Sequence, residues 1–340
     1  MRGVTIEPDR VRLGPRCAVS FQRTLRIPDD GRVYPLPPAL GTFRVHRVAD
    51  YAARVPAEWC ERGGAFIAMY QREALWLGFE GEAGAPSAVT VAVGGINAVS
   101  GERSRAALRA DPQDYLIVPD QPWLDGLNTG AGSIRQFVAM PLGLGYTVEG
   151  QIAGAEEFGG VQIAAYEAKP GRVPSAPPRS RGGRPRPMGA PVAEPSVAMG
   201  LGAGGQIAQK IYPDPHGLDT WDVESRLEVV VHIANSAQYR EITGLAPPST
   251  PVSARSYTEL GLPWFELYDE ERGDVAPSEG LRRVRSIAGE DDARGVAPDE
   301  EAEAPAEPGD AQRRPIRPSS GPSSGPSKGG KGGERKNKNR

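Results

Sequence analysis

Two long stretches of the chain carry too few large apolar side chains to bury a core, and they limit what the rest can fold into. The chain has 340 residues, and many of its 43 glycines and 34 prolines fall in residues 169–205 and 272–340. Segments of this composition cannot offset the conformational entropy lost on ordering. We therefore expect a disordered Pro/Gly/Arg-rich linker over 169–205 and a disordered tail over 272–340, acidic at first and basic at its end.

The remaining residues are expected to form one domain in two parts, 17–168 and 206–271, after a flexible N-terminus over 1–16. Short apolar runs such as AVTVAVGG (88–95) and RLEVVVHIA (226–234) predict strands. The strands follow one another closely, without the long helices of a doubly wound sheet. The pattern predicts a mostly β fold, an antiparallel β-sandwich or barrel-like domain with a few short helices, interrupted by a disordered insertion.

Local patterns predict individual elements within this domain. In YTVEGQI (146–152) apolar and polar residues alternate, which indicates a strand, and the preceding LGLG reads as a hairpin connection. A short helix is expected over 47–55. Another is expected in NSAQYREITG, where Asn235 is the N-cap and Gly244 ends the helix.

Charge and composition argue against several classes of protein. The net charge of −3 makes a nucleic-acid partner unlikely. No apolar run approaches the roughly 18 to 20 residues that span a bilayer, and the N-terminal residues lack the apolar region of a signal peptide. Cys17 and Cys60 are the only cysteines, which favours a reducing, cytoplasmic location. Walker, CxxC, HExxH and GxSxG motifs are absent, so no cofactor is predicted.

Three polar clusters are candidates for ligand binding. An Arg that faces a Glu across a sheet can hold a carboxylate or phosphate by two hydrogen bonds, and paired carboxylates suit acid–base chemistry. A solvated sheet face and ordinary turns explain the same residues without a ligand. The candidates are Gln71, Arg72, Asp120, Trp123, Asp125, Arg135, Gln136, Glu149 and Gln151.

An aromatic group near residue 265 is a candidate interaction patch. Trp264, Phe265 and Tyr268 lie beside acidic residues in GLPWFELYDEE, and aromatic anchors are typical of interfaces. They could equally pack on the sheet. The partner, a small molecule or a protein, and the oligomeric state stay open.

The segment YPDPHGLDTWD (212–222) is predicted to be a structured turn. Its prolines preset the backbone, Gly217 supplies a permissive position, and Asp side chains accept nearby N–H groups. No metal site is predicted, because the spacing lacks the pattern of a calcium loop and a softer metal needs more His or Cys. The alternative ligands would be Asp214, His216, Asp219, Asp222 and His232.

Five segments together resemble a group of uncharacterised bacterial proteins: DYLIVPDQPWLDG, IRQFVAMPLGLGYTVEGQ, QKIYPDPHGLDTWD, NSAQYREITG and GLPWFELYDEE. The resemblance implies that the folded part is one recurrent unit, and it implies no activity. Two hypotheses about function follow from the residues themselves. The first is a soluble module that binds a ligand or partner. The second is an enzyme whose polar cleft of Arg and carboxylates acts on a small polar or sugar-like substrate.

Overall fold

The computed structural model describes residues 3–82, 84–173, 198–267, 272–297 and 310–316. Strands dominate this part of the chain, and their bounds are β1 Val4–Glu7, β2 Arg10–Leu13, β3 Cys17–Thr24, β4 Val33–Tyr34, β5 Gly41–Thr42, β6 His46–Arg47, β7 Ala65–Ala68, β8 Ala74–Gly81, β9 Ser87–Val93, β10 Ile96–Asn97, β11 Leu116–Val118, β12 Trp123–Leu124, β13 Gly126–Gly130, β14 Ser133–Pro141, β15 Val161–Glu167, β16 Ala198–Ala208, β17 Leu227–Ala234, β18 Trp264–Leu267 and β19 Arg313–Ile316.

The helices of the described residues are few and short. The α-helices are α1 Ala57–Arg62, α2 Val148–Ala153, α3 Ser236–Thr243, α4 Ala254–Glu259, α5 Glu279–Arg282 and α6 Ile287–Arg294. Single 3₁₀ turns occur at Val48–Tyr51, Leu218–Thr220, Val223–Ser225 and Asp310–Gln312. None of the described helices is long and apolar enough to cross a membrane.

The first 17 strands form one large, mostly antiparallel sheet that does not close on itself. Strand β15 lies between β9 and β17, and β14 lies between β8 and β16. Among the strands of the described residues, parallel pairing joins β4 with β16, β7 with β17, and β18 with β19 in a separate pair. The prediction of a mostly β, antiparallel fold with a few short helices is confirmed.

The sheet buries apolar side chains on both of its faces along β9. Val89, Val91 and Val93 belong to the main core, whereas Ala88 joins a second cluster with Tyr166 and other residues. Fully burying a Val or Leu side chain contributes about 1.5–3 kcal/mol. This explains why AVTVAVGG is a continuous apolar run, since neither face of the strand meets water.

The N-terminal residues form a β-hairpin, where the sequence predicted a flexible segment over 1–16. Strands β1 and β2 pair antiparallel in the register Val4 with Leu13, and β2 continues onto β3. Val11 and Leu13 are buried in the main core. The hairpin forms because alternate residues of VRL reach this core, a short-range alternation that the composition of the segment conceals.

Residues 198–205 belong to the sheet, whereas the sequence assigned them to the linker over 169–205. They form most of β16, which pairs along its length with β14. A Cβ atom at Gly204 would lie 2.7 Å from Val138, and one at Gly205 would collide with the carbonyl oxygen of Pro28. Glycine is therefore required for close packing here and does not mark flexibility. Residues 174–197 of the predicted linker lie outside the described part of the chain.

Residues 148–153 are helical, so the prediction of a strand over 146–152 and of an LGLG hairpin is wrong. Thr147 caps α2 by accepting a hydrogen bond from the Gly150 amide at 3.0 Å, and Gly154 ends the helix with a φ of 76°. Because the segment is only six residues long, the cap and the terminal glycine outweigh the apolar alternation. The predicted helix over 47–55 is likewise reduced to the 3₁₀ turn at Val48–Tyr51.

Part of the predicted disordered tail is integral to the domain. Leu281, Val284 and Ile287 are buried, and Asp274 accepts hydrogen bonds from the amides of Ile211 and Gly132. The expectation of a disordered tail over 272–340 is therefore corrected for 272–297. Apolar residues at every third position of a charged stretch, Leu281, Val284 and Ile287, dock the segment on the domain. Residues 298–309 and 317–340 lie outside the described part.

Local capping signals predicted α3 correctly. The Asn235 side chain accepts from the Gln238 amide at 2.9 Å, and Gly244 adopts the left-handed conformation at the C-terminus. Capping depends only on neighbouring residues, so it can be predicted without tertiary information.

Candidate functional site

A cleft with a volume of about 380 Å³ lies beside the sheet in the described residues. Its floor is formed by β15 and the beginning of β17. Its walls are the turn between β9 and β10, residues 103–106, and the loop that follows α2. We call it the mixed-charge cleft, because arginine and glutamate side chains line it in equal number: Arg103, Arg105, Arg226, Glu149, Glu157 and Glu228.

The turn between β9 and β10 leaves room for a buried carboxylate beneath the cleft. Gly94 and Gly95 both have positive φ values, 55° and 78°, as a two-residue hairpin turn requires. A Cβ atom at Gly94 would collide with the Glu149 side chain. The Gly95 amide donates to Gln162 Oε1 at 2.7 Å, which fixes the turn to the sheet.

Glu149 fixes the loop that follows α2. Its Oε1 accepts hydrogen bonds from the amides of Glu157 and Phe158 at 2.9 and 2.8 Å, and its Oε2 accepts from the Gly159 amide at 2.9 Å. The residue is only 3% exposed. The Glu149 carboxylate therefore forms its hydrogen bonds within the protein, and these bonds hold the loop in one conformation before a ligand binds.

Two of the arginines in the cleft already have partners. Arg226 pairs with Glu228 at 2.8 Å and donates to the Tyr166 hydroxyl at 3.1 Å. Arg105 pairs with Glu102 at 3.0 Å. Both pairs lie at the surface and contribute little stability.

Arg103 and Glu157 are exposed, and neither forms a side-chain hydrogen bond or ion pair with the residues that the structure describes. Beside them the Phe158 ring is 44% exposed, and the Arg62 guanidinium lies over it at 4.6 Å from the ring centre. The cleft therefore combines an uncompensated cation, an uncompensated anion and an accessible apolar ring.

Of the ligand-binding residues predicted from sequence, only Glu149 lines this cleft. Gln71 is exposed, whereas Arg72 forms two hydrogen bonds with Asp291 at 2.7 and 2.8 Å. Burial alone would raise the pKa of Asp291, but hydrogen bonds from Arg72 and Tyr146 keep it below its usual value. This cluster attaches α6 to the turn before β8.

The predicted loop carboxylates serve separate parts of the fold. Asp125 is 2% exposed and its Oδ2 accepts from Gln209 Nε2 at 2.8 Å. Burial raises its pKa to about 7, although the bond from Gln209 opposes this. Asp120 contributes its main-chain carbonyl to Arg272 at 3.4 Å. Trp123 lies half-buried in β12 opposite Gly78.

The remaining polar candidates hold segments of backbone. Arg135 donates to the Val284 carbonyl at 2.6 Å, and Gln151 exchanges hydrogen bonds with the backbone of Arg285. Gln136 is fully buried, accepts from the Ile27 amide and donates to the Leu25 carbonyl, each at 2.8 Å. These side chains satisfy backbone groups that lie outside the regular hydrogen bonding of the sheet.

The predicted aromatic patch is not a common exposed surface. Trp264 is fully buried and packs near Tyr34 and Tyr257. Phe265 is partly buried and lines a second cleft of about 350 Å³ beside Lys210. Tyr268 lies outside the described residues.

The residues considered as alternative metal ligands have other partners or lie apart. Asp214 accepts from the Tyr115 hydroxyl and from the Trp221 indole at 2.7 and 2.9 Å, and from the His216 amide at 2.7 Å. Asp222 caps a 3₁₀ turn, and the Asp219 carbonyl accepts from Lys169. The segment is a turn of the predicted kind.

His232 lies inside the sheet and away from that turn. It stacks on Trp59 with ring centres 4.6 Å apart, and its Nε2 lies 3.0 Å from the Gly63 carbonyl oxygen. Among the described residues no group of three His, Cys, Asp or Glu side chains is placed to hold a metal ion.

Sequence reasoning missed the residues that define the mixed-charge cleft. Gly94 and Gly95 between two strands signal a hairpin turn, and this was visible in the sequence. Arg103, Glu157 and Phe158 carry no local signal, because they are ordinary surface residues until the fold brings them together. No protein-family model, curated protein or solved structure matches the chain.

Proposed function

We propose that the protein is a binding module that holds a small polar molecule in the mixed-charge cleft. The observation that carries this proposal is the pair of exposed, uncompensated charges, Arg103 and Glu157, in one concavity with an accessible aromatic ring. Ligand sites combine an apolar surface with a few polar groups that fix orientation. The volume of about 380 Å³ suits a small molecule.

The fixed loop supports binding as the role of this cleft. Glu149 holds three successive amides, so the backbone that carries Glu157 and Phe158 is already ordered when a ligand binds. A preorganised site gains affinity because fewer groups must be ordered on binding. The enzyme hypothesis has less support, since its candidate polar residues do not converge in the cleft: Asp120, Asp125, Arg135 and Gln151 contact other parts of the fold.

An unbiased screen tests the proposal. The full chain is mixed with a library of small polar metabolites, and ligands are found by the rise in melting temperature that preferential binding to the folded state produces. Arg103→Ala is expected to weaken the hits at least five-fold. Arg283→Ala is the matched control, because Arg283 is also exposed but lies outside the cleft. Hits that bind both variants equally would refute the proposal.

We also propose that the protein works in the cytoplasm. Cys17 is buried and Cys60 is exposed, and both are free thiols. A reducing compartment keeps an exposed thiol in this state. Fractionation of the source cells followed by immunoblotting checks this, and recovery from an oxidising compartment would contradict it.

A further inference from the structure

The charges of the mixed-charge cleft narrow the class of its ligand, and this inference rests on the proposed function. We propose that the ligand is a zwitterion, an α-amino acid with an apolar side chain, whose carboxylate pairs with Arg103 and whose ammonium group pairs with Glu157. The side chain of the ligand packs against Phe158.

The first support is the charge that remains after internal pairing. Glu228 pairs with Arg226, and Glu102 pairs both with Arg105 and with Arg109, which lies outside the cleft. The Glu149 carboxylate is occupied by backbone amides. Among the charged side chains that line the cleft, Arg103 and Glu157 are the ones without a side-chain or backbone partner in the described residues, so a ligand that carries one charge of each sign can pair with both. A purely anionic ligand would meet Glu157 as an uncompensated like charge.

The second support is the chemistry of the two remaining side chains. The Arg103 guanidinium presents a planar set of donors that matches a carboxylate. The Glu157 carboxylate only accepts hydrogen bonds, which suits the three donors of an ammonium group. Both side chains are exposed and therefore free to adjust to the ligand.

The third support is the apolar wall. The backbone of Phe158 is held in place because its amide donates to Glu149 and its carbonyl accepts from Arg62 at 3.2 Å. Next to it, Gly95 has no side chain, and a Cβ atom there would lie 3.8 Å from the ring. The ring is 44% exposed, with the Arg62 guanidinium 4.6 Å from its centre, and an apolar side chain of the ligand would remove part of the exposed ring surface from water.

Three related compounds test the charges separately. L-phenylalanine carries both charges, 3-phenylpropionate lacks the ammonium group, and 2-phenylethylamine lacks the carboxylate. Their binding to the full chain is measured by titration calorimetry at neutral pH and low salt, where exposed ion pairs are screened least. L-phenylalanine is expected to bind at least five-fold more tightly than either analogue.

Each substitution in the cleft should weaken the binding of only one charged group of the ligand, the carboxylate or the ammonium group. Arg103→Ala is expected to weaken L-phenylalanine and 3-phenylpropionate by about five- to ten-fold and to leave 2-phenylethylamine unchanged. Glu157→Gln should weaken L-phenylalanine and 2-phenylethylamine and spare 3-phenylpropionate. Arg283→Ala and Glu224→Gln are controls at exposed positions outside the cleft and should change nothing.

Two outcomes separate this inference from the proposed function. If 3-phenylpropionate binds as tightly as L-phenylalanine and depends on Arg103, the zwitterion is refuted while the cleft remains a binding site. The zwitterion is also refuted if none of the three compounds binds. In that case the unbiased screen, with its own dependence on Arg103, decides whether the binding function survives.

Discussion

Replacing Asp125 with asparagine is expected to stabilise the protein at neutral and alkaline pH and to leave it nearly unchanged in acid. The Asp125 side chain is buried beside Gln209, whose amide is its one neighbouring donor among the described residues. A single neutral donor does not offset the loss of water around a carboxylate. The ionised form is therefore disfavoured in the folded state, and burial raises the pKa to about 7.

Because the pKa of Asp125 is raised in the folded protein, the sign of the dependence of stability on pH can be derived. In the unfolded chain the carboxyl group titrates at its model value of 3.8. Between that value and about 7 the folded protein binds a proton that the unfolded chain has released, so stability falls as the pH rises. Each pKa unit corresponds to about 1.36 kcal/mol, and a difference of roughly three units therefore sets an upper limit of about 4 kcal/mol. Structural relaxation around the charge lowers the real cost to about 2–4 kcal/mol.

Asparagine preserves the shape of the side chain and can accept the same bond from Gln209. The difference in unfolding free energy between Asp125→Asn and the natural chain is measured by urea denaturation at several pH values from 5 to 8.5, where shared titrations cancel. Asp9→Asn is the control of opposite sign, because a hydrogen bond from Arg10 lowers the pKa of Asp9 and the substitution should give no gain. A stability difference for Asp125→Asn that stays flat from pH 5 to 8.5 would falsify the reasoning.

Three other changes have definite expected outcomes. Leu281→Ala should lower the free energy of unfolding by about 2–5 kcal/mol in urea titrations, because Leu281 is fully buried. Deletion of 273–340 should abolish cooperative unfolding, and a stable truncated chain would contradict the docking of this segment. Burial lowers the pKa values of His46 and His232 to about 4. The stability of the folded protein should therefore fall as the pH drops from about 6.5 to about 4, by up to about 3 kcal/mol for each histidine. Substituting either histidine with Gln should reduce this dependence of stability on pH. Gly94→Ala should lower the melting temperature and weaken ligands of the cleft together, and unchanged ligand affinity would show that the turn does not shape the site.

Much of the fold was predictable wherever the decisive interactions are local. The strand β9 and the cap at Asn235 follow from short patterns that the tertiary structure reinforces. Residues 148–153 were misassigned because six residues satisfy both periodicities, and only the Thr147 cap and Gly154 distinguish them. The sequence contained that signal, but the alternation was given more weight.

The errors at 198–205 and 272–297 have a different cause. Composition measures how much apolar surface a segment carries, but not how closely its backbone approaches a neighbour. The glycines of β16 are buried because other strands and loops leave no space for a side chain, and a segment with few apolar residues docks when those few meet an existing core. Both conditions are properties of the partner surface, so the segment alone does not reveal them.

The candidate site was the feature that the sequence predicted least well. The side chains that drew attention in the sequence, such as Asp125, Gln136 and Glu149, are polar groups among apolar runs. Such groups are buried, and buried polar groups form hydrogen bonds with other groups of the protein. They therefore have no donor or acceptor left for a ligand. Binding capacity remains with exposed side chains whose charges the fold leaves uncompensated. Arg103 and Glu157 are separated by more than fifty residues of sequence, and they line one cleft only because residues 103–106 and the loop after α2 meet over β15.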